Sequence, residues 1–434
     1  MSEQNSNSHK TLRDEALYIL KTNSRDHRYT VPSDRLYPYQ WNWDSGFIAL
    51  GYAAYDIDRA LTELDSLMDG QWQNGMVPHI VFHEFEEHYA PGPLDWQVPS
   101  HLTAKPGVCT SGITQPPIIG TVLARIYASC PDKEAYHLRF ATLYTHVKAY
   151  HEWFMTKRTS APAHDLVKSL HPWESGMDNL PCWDKLVDDV PRGDISQFRR
   201  KDLKGDNAAQ RPHDSDYHAY MSLVYHYRAI GYDSIELLPQ AHFKVYDLVL
   251  NSLLLRSAHD MAQLAQDIKP EDQAYWQAQI HTLTQGMQKL WSEEHQAFLN
   301  QNAFDGQFLM PLSCASFLPL FARAANETQA AALAKLYTKW REIYPYSVPT
   351  TDPESPKFEI ERYWRGPIWV NTNWMISEGF AAYGYQDIAD TIKADTRALI
   401  EEHGFYEYFT PEGAKGLGAN HFSWSAALAL YWLF

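Results

Sequence analysis

Cysteine is scarce in this chain, with four in 434 residues, at Cys109, Cys130, Cys182 and Cys314. None of them shows C-x-x-C or zinc-ligand spacing. That argues against a disulfide framework or a zinc module, and for reduced thiols in a cytoplasmic protein. Basic residues also run short: 37 Lys and Arg stand against 53 Asp and Glu, a net charge of −16. With no basic stripe to release counterions from phosphates, this balance argues against nucleic acid as a partner. No apolar run approaches bilayer length, so no membrane association is expected. The opening MSEQNSNSHK has no apolar signal segment and reads as a flexible polar tail over residues 1–10. Gly/Ser linkers, charge blocks and tight repeats are missing too, so residues 11–434 read as a single domain. No ligand spacing calls for a metal, and no cofactor is implied. The sequence leaves the oligomeric state open, a homo-oligomer included.

Aromatic residues, by contrast, are abundant: 15 Trp and 27 Tyr exceed what packing usually demands. Flat rings with a polar edge stack on the C–H faces of polyols while their N–H and O–H groups bond hydroxyls. Between the aromatic-rich loops, apolar residues recur with a period near 3.6. This predicts helices over Thr11 to Thr22, Ser45 to Met68, Pro116 to Ser129, Lys133 to Thr156, Asp216 to Ile230, Ala241 to Asp267 and Glu271 to Ser292. Further helices are predicted over Thr328 to Ile343, Ile368 to Ala382, Gln386 to Glu402 and Phe422 to Phe434. Short strands are marked only around Ala297 to Phe308 and Phe405 to Phe409. About a dozen paired helices make an all-α domain. Two loops dense in charge or proline, Lys185 to Asp214 and Tyr346 to Tyr363, are long enough to serve as lids.

The chemistry concentrates in His171 to Asp184, HPWESGMDNLPCWD. Gly176 and Asp178-Asn179 are turn formers, so this reads as a loop that projects side chains into a cleft. A carboxyl there, flanked by Trp173 and Trp183, would have its pKa raised and stay protonated near neutrality, as a general acid requires. Read blandly, Asp178 makes an Asx turn and the indoles are core. Other candidates lie far away in sequence. YPYQWNWD supplies Tyr37, Trp41, Asn42, Trp43 and Asp44, the last equally readable as a helix cap. CTSGITQPP fixes Gln115, RYWRGPIWV places Tyr363 and Trp364, and FYEYFTPEG sets Glu407 between two tyrosines.

YPYQWNWDSGF, TSGITQPP, HPWESGMDN, RYWRGPIWVNTNW and FYEYFTPEG followed by FSWSAAL resemble, in order, the motifs of glycoside hydrolase family 63 and the related trehalases. The resemblance implies an (α/α)6 barrel and hydrolysis of α-linked glucosides or mannosides with inversion. It puts the general acid at Asp178 and the general base at Glu407; Glu174, next door in the same loop, is the rival acid, but only Asp178 carries the family role. In length and loop sequence the chain is similar to the hydrolases of mannosylglycerate and glucosylglycerate, a likeness extending to HYAPGPLDW with Tyr89 and RPHDSDYHAY with Arg211 and Tyr217. Glycerate is an anion, and Arg211 offers a bidentate fork for it unless it pairs with Asp214 instead. The same resemblance lines the sugar and aglycone positions with Tyr37, Trp41, Asn42, Trp43, Asp44, Gln115, Gly176, Tyr363 and Trp364. A neutral α-glucoside or trehalose is the alternative substrate, and a sugar 2-epimerase or a non-catalytic sugar-binding protein the alternative from another class.

Overall fold

Two kinds of helix build the molecule, and their sequences set the difference. In Leu248–Ile268 every residue from Leu248 to Ala258 is buried, and in Val370–Ala382 every residue from Val370 to Ser377. A helix buried all round belongs inside, enclosed by others. Ile57–Met68 and Gln386–His403 instead bury one stripe and give the other face to water.

The computed structural model describes residues 2–159, 165–203, 205–232 and 239–434, with backbone alone for residues 2–10 and 205–207. We number its main helices α1 (Ser2–Asn23), α2 (Asn42–Ala53), α3 (Ile57–Met68), α4 (Ile119–Ser129), α5 (His137–Lys157), α6 (Asp214–Ala229) and α7 (Leu248–Ile268). The remainder are α8 (Gln273–Gln288), α9 (Leu318–Phe321), α10 (Glu327–Ile343), α11 (Val370–Ala382), α12 (Gln386–His403) and α13 (Ser423–Leu428). Among the described residues, six inner helices touch in a closed ring: α2, α4, α7, α9, α11 and α13, the last returning to α2. Outer helices back them, α3 on α2, α5 on α4, α8 on α7, α12 on α11 and α1 on α13. The outer helix α10 sets Tyr337 against Phe380 and Trp340 against Phe317. The fold is an (α/α)6 barrel. Helix α6 stands outside the ring, against the short helices Pro93–Trp96 and Asp184–Asp188.

Boundaries differ from the sequence reading where local polar chemistry interrupts an apolar stripe. The stretch from Ser45 to Met68 is two helices, because Asp56 leaves the helical conformation (φ −149°) and its side chain accepts from Arg59 N to start α3. The helix expected from Ala241 begins at Leu248, where the Asp247 carboxylate caps Leu250 N at 2.6 Å. Helical backbone at the other end starts at Ser2, ahead of the expected Thr11, while residue 1 lies outside the described residues. Strand pairs fall where expected, at Ala297–Phe298, Gln301–Asn302 and Tyr408–Phe409. A three-stranded antiparallel sheet of Gln40–Trp41, Ile80–Phe82 and Cys109–Thr110 was not foreseen. Two-residue strands carry too little alternation to be seen in sequence. All four cysteines are free, with Cys109 exposed and the others buried. No helix among the described residues is long and apolar enough to cross a membrane.

Candidate active site

Inner helices α2, α4, α11 and α13 present their N-terminal ends to one side of the ring, and the residues just before or within their first turns surround a cavity. Trp41, Trp43 and Asp44 come from α2, Gln115 from the segment before α4, Tyr363 and Trp364 from before α11, and Phe422 and Trp424 from α13. About 620 Å³ of space free of atoms lies between them, part of it open to solvent.

Asp178 enters from the loop between α5 and α6. His171 starts a 3₁₀ turn at Pro172–Ser175, its Nδ1 accepting from Trp173 N at 3.1 Å. Gly176 follows at φ +72°, where an added Cβ would stand 2.6 Å from the Trp43 ring, so both the left-handed backbone and the close approach need glycine. On either side of the turn, Trp183 Nε1 donates to Met177 O at 2.9 Å and the Tyr220 hydroxyl to Asp178 O at 2.7 Å. The Asp178 side chain lines the cavity, and burial, partly offset by the charge of Arg211, raises its pKa from 3.8 to about 7. A carboxyl so placed still holds its proton near neutrality.

Glu174, four residues earlier, faces the other way. Its carboxylate takes two 2.7 Å bonds from the Arg158 guanidinium and one from Leu170 N at 2.7 Å, and both residues are buried. A carboxylate so saturated by a buried cation cannot serve as the acid, and it does not line the cavity. It holds the loop.

Glu407 lines the same cavity. Its backbone N–H donates to Ala419 O at 2.8 Å, and Ala419 N returns a bond to Glu407 Oε2 at 3.1 Å. Gly418 makes this possible: at φ +71° its missing side chain would sit 2.4 Å from Oε2. Oε1 accepts from the Tyr37 hydroxyl at 2.9 Å and lies 3.9 Å from Arg211 Nη1. Burial raises the Glu407 pKa, while the Arg211 charge, the Ala419 N–H and Tyr37 act against it. Asp44 is a third carboxyl in the same space. It does not cap α2, whose N-cap is Trp41, and burial followed by the charge of Glu407 raises it well above the usual carboxylate range.

Arg211 is buried and faces the same cavity. It does not pair with Asp214, which is bound by Arg200. Its Nε meets Asp202 at 3.3 Å, its Nη1 donates to Tyr37 Oη at 2.6 Å, and its plane lies 4.5 Å over the Tyr363 ring. Burial works to raise Asp202, but bonds from Arg200 and the charges of Arg211 and Arg200 outweigh it and hold the carboxylate at about 2. Aromatic rings complete the walls. Tyr89 packs edge-on against Trp41 at 5.4 Å, Tyr217 lies under the Arg200 guanidinium at 3.8 Å, and Trp364 packs against Trp43.

Of the candidates named from sequence, Asn42 does not reach the cavity. Its amide donates to Val77 O and the Tyr150 hydroxyl, both at 3.3 Å, because one step along a helix start turns a side chain by about 100° from Trp41 and Trp43. Gln115 lines the cavity, its Oε1 fixed by Trp43 N at 3.2 Å, so the amide nitrogen is what it offers a ligand. Sequence reasoning missed Pro32, His79, Phe422 and Trp424, and took Trp173 no further than its loop. Of these only FSWSAAL carried a signal. His79 Nδ1, Trp364 Nε1 and Trp424 Nε1 are buried without a hydrogen-bond partner, and all three residues line the cavity. Buried polar atoms are nearly always satisfied, so such a set matches a ligand rich in hydroxyls. His79 supplies no charge, since burial and the neighbouring His171 lower its pKa to about 3.

The family model for the mannosylglycerate hydrolase MGH1-like glycoside hydrolase domain matches residues 37–425. The chain is 43% identical over 418 residues to the mannosylglycerate hydrolase of Thermus thermophilus, covering 96% of this chain and 99% of that one. It is 30% identical over 435 residues to the glucosylglycerate hydrolase of Mycolicibacterium hassiacum, with 96% of each covered. Among solved structures, a GH63 mannosylglycerate hydrolase from Thermus thermophilus in complex with Tris and D-glycerate superposes with a TM-score of 0.92 at 42% identity, covering 98% of this chain and all of that one.

Proposed function

The chain belongs to the family of MGH1-like glycoside hydrolases, and on that premise we propose that it hydrolyses mannosylglycerate and glucosylglycerate to hexose and glycerate with inversion at the anomeric carbon. We propose Asp178 as general acid and Glu407 as general base, on one catalytic domain over residues 11–434. One observation carries the reading: a carboxyl raised to about 7 and a second carboxyl held by Tyr37 and Ala419 N line a single cavity together with a buried arginine. In the reaction the Asp178 proton goes to the glycosidic oxygen as the C1–O bond breaks. Glu407 takes a proton from the water that forms the new bond to C1 on the opposite face. The hexose rests among Trp41, Trp43, Trp364 and Trp424, with Asp44, Gln115 and His79 to bond its hydroxyls. The glycerate carboxylate meets Arg211, beside Tyr89 and Tyr217. Four free cysteines suit a reducing, cytoplasmic setting.

The test is to incubate the enzyme with each glycerate glycoside and follow the released sugar by anomer-resolved NMR. Release of β-hexose and glycerate is expected, and Asp178→Asn and Glu407→Gln should each lower kcat by about 10²- to 10⁴-fold. Cleavage of trehalose or a neutral glucoside with neither glycerate compound touched would overturn the substrate, and retained α-configuration the mechanism.

A further inference from the structure

Arg211 and Glu407 are 3.9 Å apart and also joined through Tyr37, which accepts from Arg211 Nη1 at 2.6 Å and donates to Glu407 Oε1 at 2.9 Å. The cation assigned to the aglycone is therefore the cation that faces the base. Resting on the reading above, we propose that the substrate's own carboxylate sets the strength of the base. By ion-pairing with Arg211 it offsets the guanidinium charge felt by Glu407 and weakens the donor bond relayed by Tyr37, so Glu407 takes up a proton more readily with the glycerate glycoside bound than in the free enzyme.

The groups around Glu407 leave Arg211 as the one to alter. Tyr37 reaches it from the segment before α2, Ala419 N from the loop before α13, and Asp44 from the first turn of α2. Tyr363, 3.4 Å from the Tyr37 hydroxyl, stands behind that bond, and Asp178 lines the same cavity. Asp44 and Asp178 are both held toward the neutral form by burial, and the tyrosines are pushed up by the same cause. Asp202 and Arg200 lie behind Arg211, where they fix its plane. Arg211 also bears on Asp178, so neutralising it moves acid and base in the same direction. A neutral α-glycoside could fill the sugar position yet leave the guanidinium charge on Glu407 as it is in the free enzyme. Discrimination for the anion would then appear in kcat as well as in binding.

The pH dependence of kcat/KM reports the free enzyme and that of kcat the bound complex, so the two profiles measured on one substrate test the idea. With mannosylglycerate or glucosylglycerate the acid limb of kcat should lie about one pH unit or more above that of kcat/KM, the size expected for losing an opposite charge at this range. With the corresponding hexosyl glycerol, which lacks the carboxylate, the limbs should coincide. Arg211→Gln should raise the acid limb of the free enzyme and abolish the displacement. If that variant does not fold, Tyr37→Phe should raise the same limb and reduce the displacement. Coincident limbs on a glycerate glycoside that is turned over would overturn the coupling and leave the hydrolase reading standing. Failure to turn over either glycerate compound would overturn both.

Discussion

Replacing Asp178 by Asn should stabilise the protein, and by an amount that grows with pH. In the folded chain this carboxyl titrates at about 7, against 3.8 for an ordinary aspartate. The difference is worth about 4 kcal/mol at 1.36 kcal/mol per pH unit. Because the folded pKa is the higher, the folded protein holds a proton that the unfolded chain has released between these two values. Stability therefore falls as pH rises from about 4 to about 7, and above 7 the whole cost of an ionised, buried carboxylate is present. Asn is nearly isosteric and carries no charge to desolvate. Guanidinium unfolding of both proteins at pH 5 and pH 8 would measure the effect. At pH 5 roughly a third of the cost is already present, so the advantage of Asp178→Asn should be larger at pH 8 by about 2 to 3 kcal/mol. Asp44 and Glu407 titrate in both proteins and largely cancel. An equal difference at the two pH values would mean that Asp178 titrates alike in folded and unfolded chains, and the account of the site would fail.

The neighbouring carboxyl should behave in the opposite way: Glu174→Gln leaves the buried Arg158 charge uncompensated and should cost about 3 to 5 kcal/mol, visible as a lower midpoint of unfolding at pH 8, where Asp178→Asn has a higher one. Gly418→Ala should lower kcat sharply with little change in KM, because its methyl group meets Glu407 Oε2 in a backbone conformation that disfavours any side chain; unchanged kcat would refute the close approach. Activity on a glycerate glycoside should fall as pH rises through about 7 in kcat/KM, where Asp178 of the free enzyme gives up its proton, and a profile flat to pH 9 would point to another acid.

The sequence was most legible where one cause acts locally. Helical stripes marked nearly every barrel helix, and the loop at Asp178 announced itself through Gly176 and its indoles. Legibility failed where the deciding partner is distant along the chain. Nothing near Glu174 reveals that Arg158 will saturate it, although the two acids of that loop look equivalent as letters. Asn42 sits between two residues that line the cavity and turns away only because a helix begins there. His79 and Pro32 lie in unremarkable surroundings and matter because the short sheet and the meeting of α1 with α13 carry them to the site. Arg211 was readable as a cation, whereas its link to Glu407 through Tyr37 spans 174 residues on one side and 370 on the other.

Ring closure by α13 has a consequence for how the enzyme is made. Ser423 N bonds Pro32 O at 2.9 Å, and the Asn23 amide bonds the Ser423 hydroxyl at 2.9 Å, so the last inner helix is stitched to the first segments of the chain. During synthesis those early segments must wait, with apolar surface exposed, for a partner roughly four hundred residues behind them. Competence to bind sugar should therefore arrive abruptly and late, when Phe422 and Trp424 drop into the wall, and a nascent chain halted before them should hold both carboxyls yet grip no substrate.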